Sequence, residues 1–272
     1  MEPVRSLALI VNPNKQGAAQ SAELLLEEAR RSGVHVVQQD KGSEGTGFLK
    51  QVDACCTIGG DGTLLSVVQE AVREQTPILG INCGKLGFMT AFSAAEAKEK
   101  FSVFLQGHCQ IEHRLIFECC SANNTDKVWA LNDVVVKVEG SRLTGFTVFS
   151  GTELVNRYAG DGLIFCTPTG STAYNLSAGG PLIDPRAEVI AMTPICAHTL
   201  SNRSVIFNRN AVLKVALDEV NQPVHVSRDG QVCFSAQEDF PFTLSIASQY
   251  LKLVHLPDYS HYQMVRAKLG WG

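Results

Sequence analysis

The chain of 272 residues contains no Cys-x-x-Cys pair and no spacing of Cys and His of the kind that builds a metal site. Its nine cysteines are an odd number. Cys55-Cys56 and Cys119-Cys120 are neighbours in strand-like runs, so each pair points its side chains to opposite faces. They read as free, mostly buried thiols of a reducing compartment rather than a disulfide framework. An excess of positive charge is missing as well. The 23 Lys and Arg are outnumbered by 27 Asp and Glu, for a net charge of −4, which offers no general attraction to nucleic acid or an anionic membrane. Any phosphate must be held by local groups. Long apolar runs are absent too: Leu7–Val11 stops at Asn12-Pro13, too short for a signal-peptide core or a membrane span. A cytoplasmic location is expected on that ground, and the sequons at Asn123, Asn175 and Asn202 carry no meaning there. Hydrophobic residues at 45% and charged residues at 18% exclude disorder.

What is present changes character partway along the chain. Residues 1–107 alternate strand and helix. Leu7–Val11 is a continuous apolar run suited to a strand buried on both faces. A helix is predicted from Ala18 to Arg31, then strands at Val34–Gln38, Asp53–Ile58 and Pro77–Ile81, with a helix over Leu64–Arg73. Ser93-Ala-Ala-Glu96 is a capping box opening a helix to about Leu105. This order predicts an α/β domain with a mainly parallel sheet. Residues 108–256 instead show short β-rich runs, among them Leu115–Cys120, Trp129–Val138, Gly145–Phe149, Gly162–Cys166, Val212–Ala216, Val224–Ser227 and Phe242–Ile246. A second, all-β domain is expected there.

Two familiar phosphate loops are excluded. Gly80–Lys85 has the wrong glycine spacing for a P-loop, and Leu86 stands where Ser or Thr is needed. Gly42, Gly45 and Gly47 do not form a dinucleotide GxGxxG. The strongest positive signal is Gly59-Gly60-Asp61-Gly62-Thr63, which follows an apolar strand and opens a helix. Glycines there admit a polyphosphate to the backbone, and helix-start amides face it. A carboxylate in that place repels phosphate, so Asp61 needs a role such as a base on an attacking hydroxyl. The competing reading is an Asp-Gly turn with a helix cap. Asn82-Cys-Gly-Lys-Leu-Gly-Phe88 is a second loop at the same sheet edge, and Phe88 is either an aromatic wall or core. Asn132-Asp133 follows as a polar pair beside strand residues, binding hydroxyls or lying on a surface edge. The densest stretch is Gly160-Asp161-Gly162 followed by Thr167-Pro-Thr-Gly-Ser-Thr-Ala-Tyr174-Asn-Leu-Ser177-Ala-Gly-Gly-Pro181. Ser171 there lacks the GxSxG context of a hydrolase nucleophile. Ser227-Arg-Asp229-Gly-Gln231 reads as a hairpin turn.

Together these segments resemble the NAD kinase family, in the family's order and over nearly the whole chain. Gly59–Thr63 alone would also fit phosphofructokinases and lipid kinases, but the Thr167–Pro181 run after Gly-Asp-Gly is far more specific. A lipid kinase would be expected to show a basic membrane-facing cluster, which is lacking. The resemblance implies a phosphofructokinase-like N-terminal domain and a C-terminal β-sandwich-like domain, with the tail 257–272 returning to the first. It implies Asp61 as general base on the ribose 2′-hydroxyl of NAD, and Gly59, Gly60, Gly62 and Thr63 around the phosphates of ATP, which brings a divalent metal such as Mg²⁺. NAD would be held by Asp61, Gly62, Phe88, Asn132, Asp133, Thr172, Ala173, Tyr174 and Ser177, with Cys196 and Asp229 nearby. Asp161 would reach across a subunit interface, which implies a homodimer or homotetramer. Polyphosphate stays open as an alternative donor. The chain departs from many relatives in having Asp133 for Glu and Ala197 for Pro.

Overall fold

A computed structural model describes residues 1–42, 47–84, 87–90, 92–123, 127–140, 144–198, 203–218, 223–234 and 237–271. Gly45, Lys85, Leu86 and the sequon residue Asn202 lie outside the described residues. The chain divides into two compact units, Met1–His113 with Leu251–Gly272, and Arg114–Tyr250.

In the first unit the order is β1 (Ser6–Val11), α1 (Ala18–Arg31), β2 (His35–Asp40), β3 (Ala54–Gly59), α2 (Asp61–Glu74), β4 (Ile78–Asn82), β5 (Phe92–Ser93) and α3 (Ala94–Leu105). The strands lie side by side as β2-β1-β3-β4 and every pair is parallel. β3 is buried throughout, so Cys55 and Cys56 are enclosed on its two faces. α1 buries Ala18, Ala22, Leu25 and Ala29, a stripe at helical spacing that meets the sheet. The capping box forms: Glu96 N–H donates to Ser93 Oγ at 3.2 Å, and Ser93 N–H donates to Glu96 Oε2 at 2.9 Å. With β2 and β3 on opposite sides of β1, the strand order reverses between β1 and β3. Ligands of open α/β sheets bind outside the carboxyl ends of the strands at that reversal.

The second unit carries the remaining strands: the latter part of β6 (Gln110–Cys120), then β7 (Val128–Ala130), β8 (Asp133–Val138), β9 (Thr144–Ser150), β10 (Glu153–Gly160), β11 (Gly162–Cys166), β12 (Val189–Ile195), β13 (Val205–Asn208), β14 (Leu213–Leu217), β15 (Val224–Arg228), β16 (Gln231–Phe234) and the first part of β17 (Phe242–His255). One sheet runs β13-β12-β11-β8-β15-β16, antiparallel at every step. Antiparallel β10, β9, β14 and β17 form a second layer. Val134, Val136, Leu163 and Phe165 from the first share one core with Phe146, Val148, Leu213 and Phe242 from the second. That is a sandwich. On the opposite face of the six-stranded sheet, Val135, Ile164, Cys166 and Ala191 pack with Ala178 and Ile183. Both belong to the segment holding a 3₁₀ turn at Thr169–Thr172 and the short helix α4 (Tyr174–Ser177).

Two expected strands are corrected. The run Trp129–Val138 breaks between Ala130 and Asp133, because its amides at that point are engaged by a side chain instead of a neighbouring strand. The run Phe242–Ile246 continues to His255, since its partners extend beyond its own strongest apolar stretch. After β17 the chain forms α5 (His261–Leu269).

Candidate active site

In the first unit, Gly59–Thr63 stands at the carboxyl ends of β1 and β3. Asn12, directly after β1, donates its N–H to Ile58 O at 2.9 Å and its amide Nδ2 to Thr63 Oγ1 at 3.3 Å. A Cβ on Gly59 would collide with Thr63 Oγ1 and stand 2.9 Å from Asn12 Cβ, so only glycine allows this closure. Gly60 precedes α2 and no side chain caps that helix, leaving first-turn amides for an external acceptor.

Asp61 is the first residue of α2. Its Oδ2 accepts from the Phe88 amide at 2.8 Å, and its Oδ1 accepts from the Met89 amide at 3.2 Å. The loop after β4 therefore aims the carboxylate. Gly87 makes the approach possible, because a Cβ there would overlap Asp61 Oδ1. The turn borders a hollow of about 290 Å³ that is also lined by Asn12, Lys15, Lys41 and Lys268. Lys268 comes from α5, and its Nζ lies 5.2 Å from the centre of the half-buried Phe88 ring. Such a contact is worth about 0.5–1 kcal/mol at an exposed site. The sequence reading singled out neither Asn12 nor the three lysines. Asn12 was within reach of the rule that ligands gather at strand carboxyl ends, whereas Lys268 offered no local signal.

The second unit collects another group. Asn132 and Asp133 are buried at the start of β8. Thr167 N–H donates to Asn132 O at 2.9 Å, and Thr167 Oγ1 donates to Leu131 O at 2.6 Å. A Cβ on Gly170 would collide with Asn132 O. Asn175 is fully buried; its Nδ2 donates to Pro181 O at 3.0 Å and its Oδ1 accepts from Thr193 Oγ1 at 2.7 Å. Ser171 Oγ bonds Pro168 O and the Ile183 amide, so it shapes the loop. This scaffold leaves Thr172 and Ala173 half-buried and Tyr174 and Ser177 exposed.

Asp229 sits in the two-residue turn between β15 and β16, where Asp229 and Gly230 both have positive φ, 46° and 80°. That is the backbone of a type I′ hairpin. Its carboxylate has a further task. It accepts the amides of Leu131 at 2.8 Å, Asn132 at 2.7 Å and Asp133 at 3.2 Å. Burial pushes the Asp229 carboxyl up, and those three amides pull it back. Burial raises Asp133 to about 7, Asp229 adds to the rise, and the Tyr174 amide opposes it.

Asp161 and Cys196 stand apart from this group. Both are exposed at the end of β11 where Gly162 pairs with Ile195, whereas Asp133 pairs with Cys166 at the other end. Four residue steps of strand, roughly 13 Å, separate the two ends. Cys196 has a left-handed φ of 46°. All nine cysteines are free. Among the described residues, no cluster of three or more His, Cys, Asp or Glu could hold a metal, and no helix is long and apolar enough to cross a membrane.

A parallel α/β unit with a glycine-bounded carboxylate among lysines, joined in one chain to a β-sandwich with a buried polar loop, defines a nucleotide phosphotransferase type of architecture. The ATP-NAD kinase N-terminal domain matches residues 48–109 and the ATP-NAD kinase C-terminal domain matches residues 131–256. The chain is 34% identical over 283 residues to an NAD kinase of Lachnoclostridium phytofermentans, covering 98% of this chain and 99% of that protein. It is 38% identical over 225 residues to an NAD kinase of Pseudomonas entomophila, covering 81% and 76%. The chain belongs to the NAD kinase family. Its fold is similar to that of a yeast NADH kinase solved with NADH (TM-score 0.85, 23% identity, 99% of this chain and 88% of that one). An Archaeoglobus fulgidus NAD kinase solved with ATP is comparably similar (TM-score 0.81, 23% identity, 97% and 98%).

Proposed function

We propose that this enzyme transfers the γ-phosphate of ATP to the 2′-hydroxyl of the adenosine ribose of NAD, giving NADP and ADP. The observation that carries the reading is the Asp61 carboxylate, fixed by the amides of Phe88 and Met89 beside a lysine-lined hollow. A secondary alcohol is a poor nucleophile near neutral pH. Asp61 takes its proton as the bond to phosphorus forms, and the ribose oxygen displaces ADP in line. The amides of the Gly59–Thr63 turn bind the phosphate oxygens.

A divalent cation fits this set as a companion of ATP. One carboxylate among three lysines suits Mg²⁺ carried on substrate phosphates better than a cage of protein ligands. When bound, the cation would neutralise charge on the phosphates. In the second unit, Asn132 and Asp133 hold the riboses and the pyrophosphate region of NAD, and Thr172, Ala173, Tyr174 and Ser177 bind the adenine. Asp229 acts by holding the Asn132-Asp133 backbone. Asp161 serves a neighbouring copy in a homodimer or homotetramer, a reading supported by its exposure at the strand end it shares with Cys196. The free thiols support a cytoplasmic setting.

The test is direct. Purified protein with NAD, ATP and Mg²⁺ should yield NADP, detected by an NADP-specific dehydrogenase. Omission of ATP, or of NAD, should leave no NADP. Absence of NADP under these conditions would overturn the reading.

A further inference from the structure

The hollow at the Gly59–Thr63 turn is lined by three ammonium side chains, from Lys15, Lys41 and Lys268. Among the described residues, none of the three forms an ion pair, whereas Lys100 and Lys127 in the same chain do. Like charges converging on one small cavity repel each other, and an anion in their midst relieves that repulsion. Lys15 and Lys41 follow β1 and β2, at the sheet edge where ligands gather. Lys268 has a different origin, the last turn of the C-terminal helix α5.

The fold takes care to put that helix there. Asp258 pairs with Lys100 at 2.9 Å, and Tyr259 stacks on the buried His255 at 3.8 Å between ring centres. Ser260 caps the start by accepting the Gln263 amide at 3.4 Å, Val265 is buried, and Gly270 closes the end with φ 66°. The backbone of Lys268 is thus fixed while its side chain extends over the face of Phe88. Phe88 is the residue whose amide holds Asp61 Oδ2. Lys268 therefore stands beside both the anion hollow and the loop that aims the carboxylate.

We propose that Lys268 is a phosphate-binding residue of the donor site, its ammonium leaving the Phe88 ring to bind the terminal phosphates of ATP alongside Lys15 and Lys41. The proposal rests on reading the hollow as the donor site. It makes the final helix part of that site, and it predicts that loss of Lys268 harms ATP far more than NAD.

The test uses the full chain, with Lys268→Met as the deletion of charge, Lys268→Gln as a second deletion should the first fold poorly, and Lys268→Arg as the conservative replacement. Two readouts are taken: calorimetric binding of inorganic triphosphate without NAD, and KM for ATP and for NAD together with kcat. A charge-assisted contact predicts that Lys268→Met weakens triphosphate binding and raises KM for ATP by about tenfold to a hundredfold. KM for NAD and the unfolding midpoint should stay at wild-type values, and Lys268→Arg should recover most of the loss. Wild-type triphosphate affinity and KM for ATP in both deletion variants would overturn the proposal. So would equal losses for ATP and NAD with a lowered midpoint and no recovery by Arg, the mark of a purely structural lysine. A wild-type protein that binds triphosphate through Lys268 yet makes no NADP would uphold the lysine and sink the NAD kinase reading.

Discussion

The two units place aspartates in opposite settings. Asp61 stands at the mouth of an open hollow lined by lysines, held by two amides of one loop. Asp133 is buried and Asp229 half-buried near it in the sandwich, where burial raises both. A carboxylate that must accept a proton during turnover needs free access and nearby cations. One that must shape a pocket needs fixed partners and exclusion of water. The same side chain serves either end, and its surroundings decide which.

The largest effect expected from breaking this contrast is at Asp61. Asp61→Asn keeps one acceptor oxygen for the loop amides but cannot take a proton, so kcat should fall on the order of 10²–10⁴. Nucleotide binding and the circular dichroism spectrum should persist. Wild-type turnover would remove Asp61 from the base role.

Gly87→Ala sharpens the point without replacing the carboxylate. The added Cβ must displace Asp61 Oδ1, and Thr90 Oγ1 crowds it as well. Misplacement of a catalytic group by an ångström costs about 10² in rate, so kcat should drop while the unfolding midpoint shifts far less. An unchanged kcat would show that the aim of Asp61 is not set by this loop.

In the other unit, Asp229→Ala should act mainly on stability. Three amides lose their acceptor, at a total of about 2–4 kcal/mol in urea unfolding. KM for NAD should rise with it, because Asn132 and Asp133 lose their backbone anchor. Loss of activity at full stability would reassign Asp229 to direct contact with ligand.

The smallest effect is a pH slope. The Asp133 carboxyl, raised from 3.8 to about 7, binds its proton more tightly folded than unfolded. Its contribution is present below the unfolded value and is lost as pH rises through the folded one, so stability should decline between roughly pH 4 and 7. Asp133→Asn should flatten that decline without abolishing it, since Asp229 is shifted in the same direction. An equally steep slope in the variant, by urea unfolding at several pH values, would place the titration elsewhere.

The alternation of strand and helix in the first unit was legible because its signals are local. The apolar run before Asn12, the Ala-Leu stripe of α1 and the Ser93–Glu96 box each lie within a turn or two of chain. In the second unit, β10, β12 and β13 escaped sequence reading, whereas the hairpin read at Asp229-Gly230 already implied β16. β10 is largely exposed and β13 is four residues long, and strand identity there follows from partners outside the run itself.

By itself, the sequence determined the class of each half, the glycine turn around Asp61 and the polar loop from Thr167 to Pro181, because helix periodicity, turn chemistry and glycine's small size act over a few residues. Only the tertiary structure decided that Asp229 interrupts a strand by binding three amides, that Phe88 and Met89 aim Asp61, and that Lys268 joins Lys15 and Lys41. Those contacts join residues far apart along the chain, and a side chain carries no record of which distant backbone it will meet until packing has excluded the alternatives.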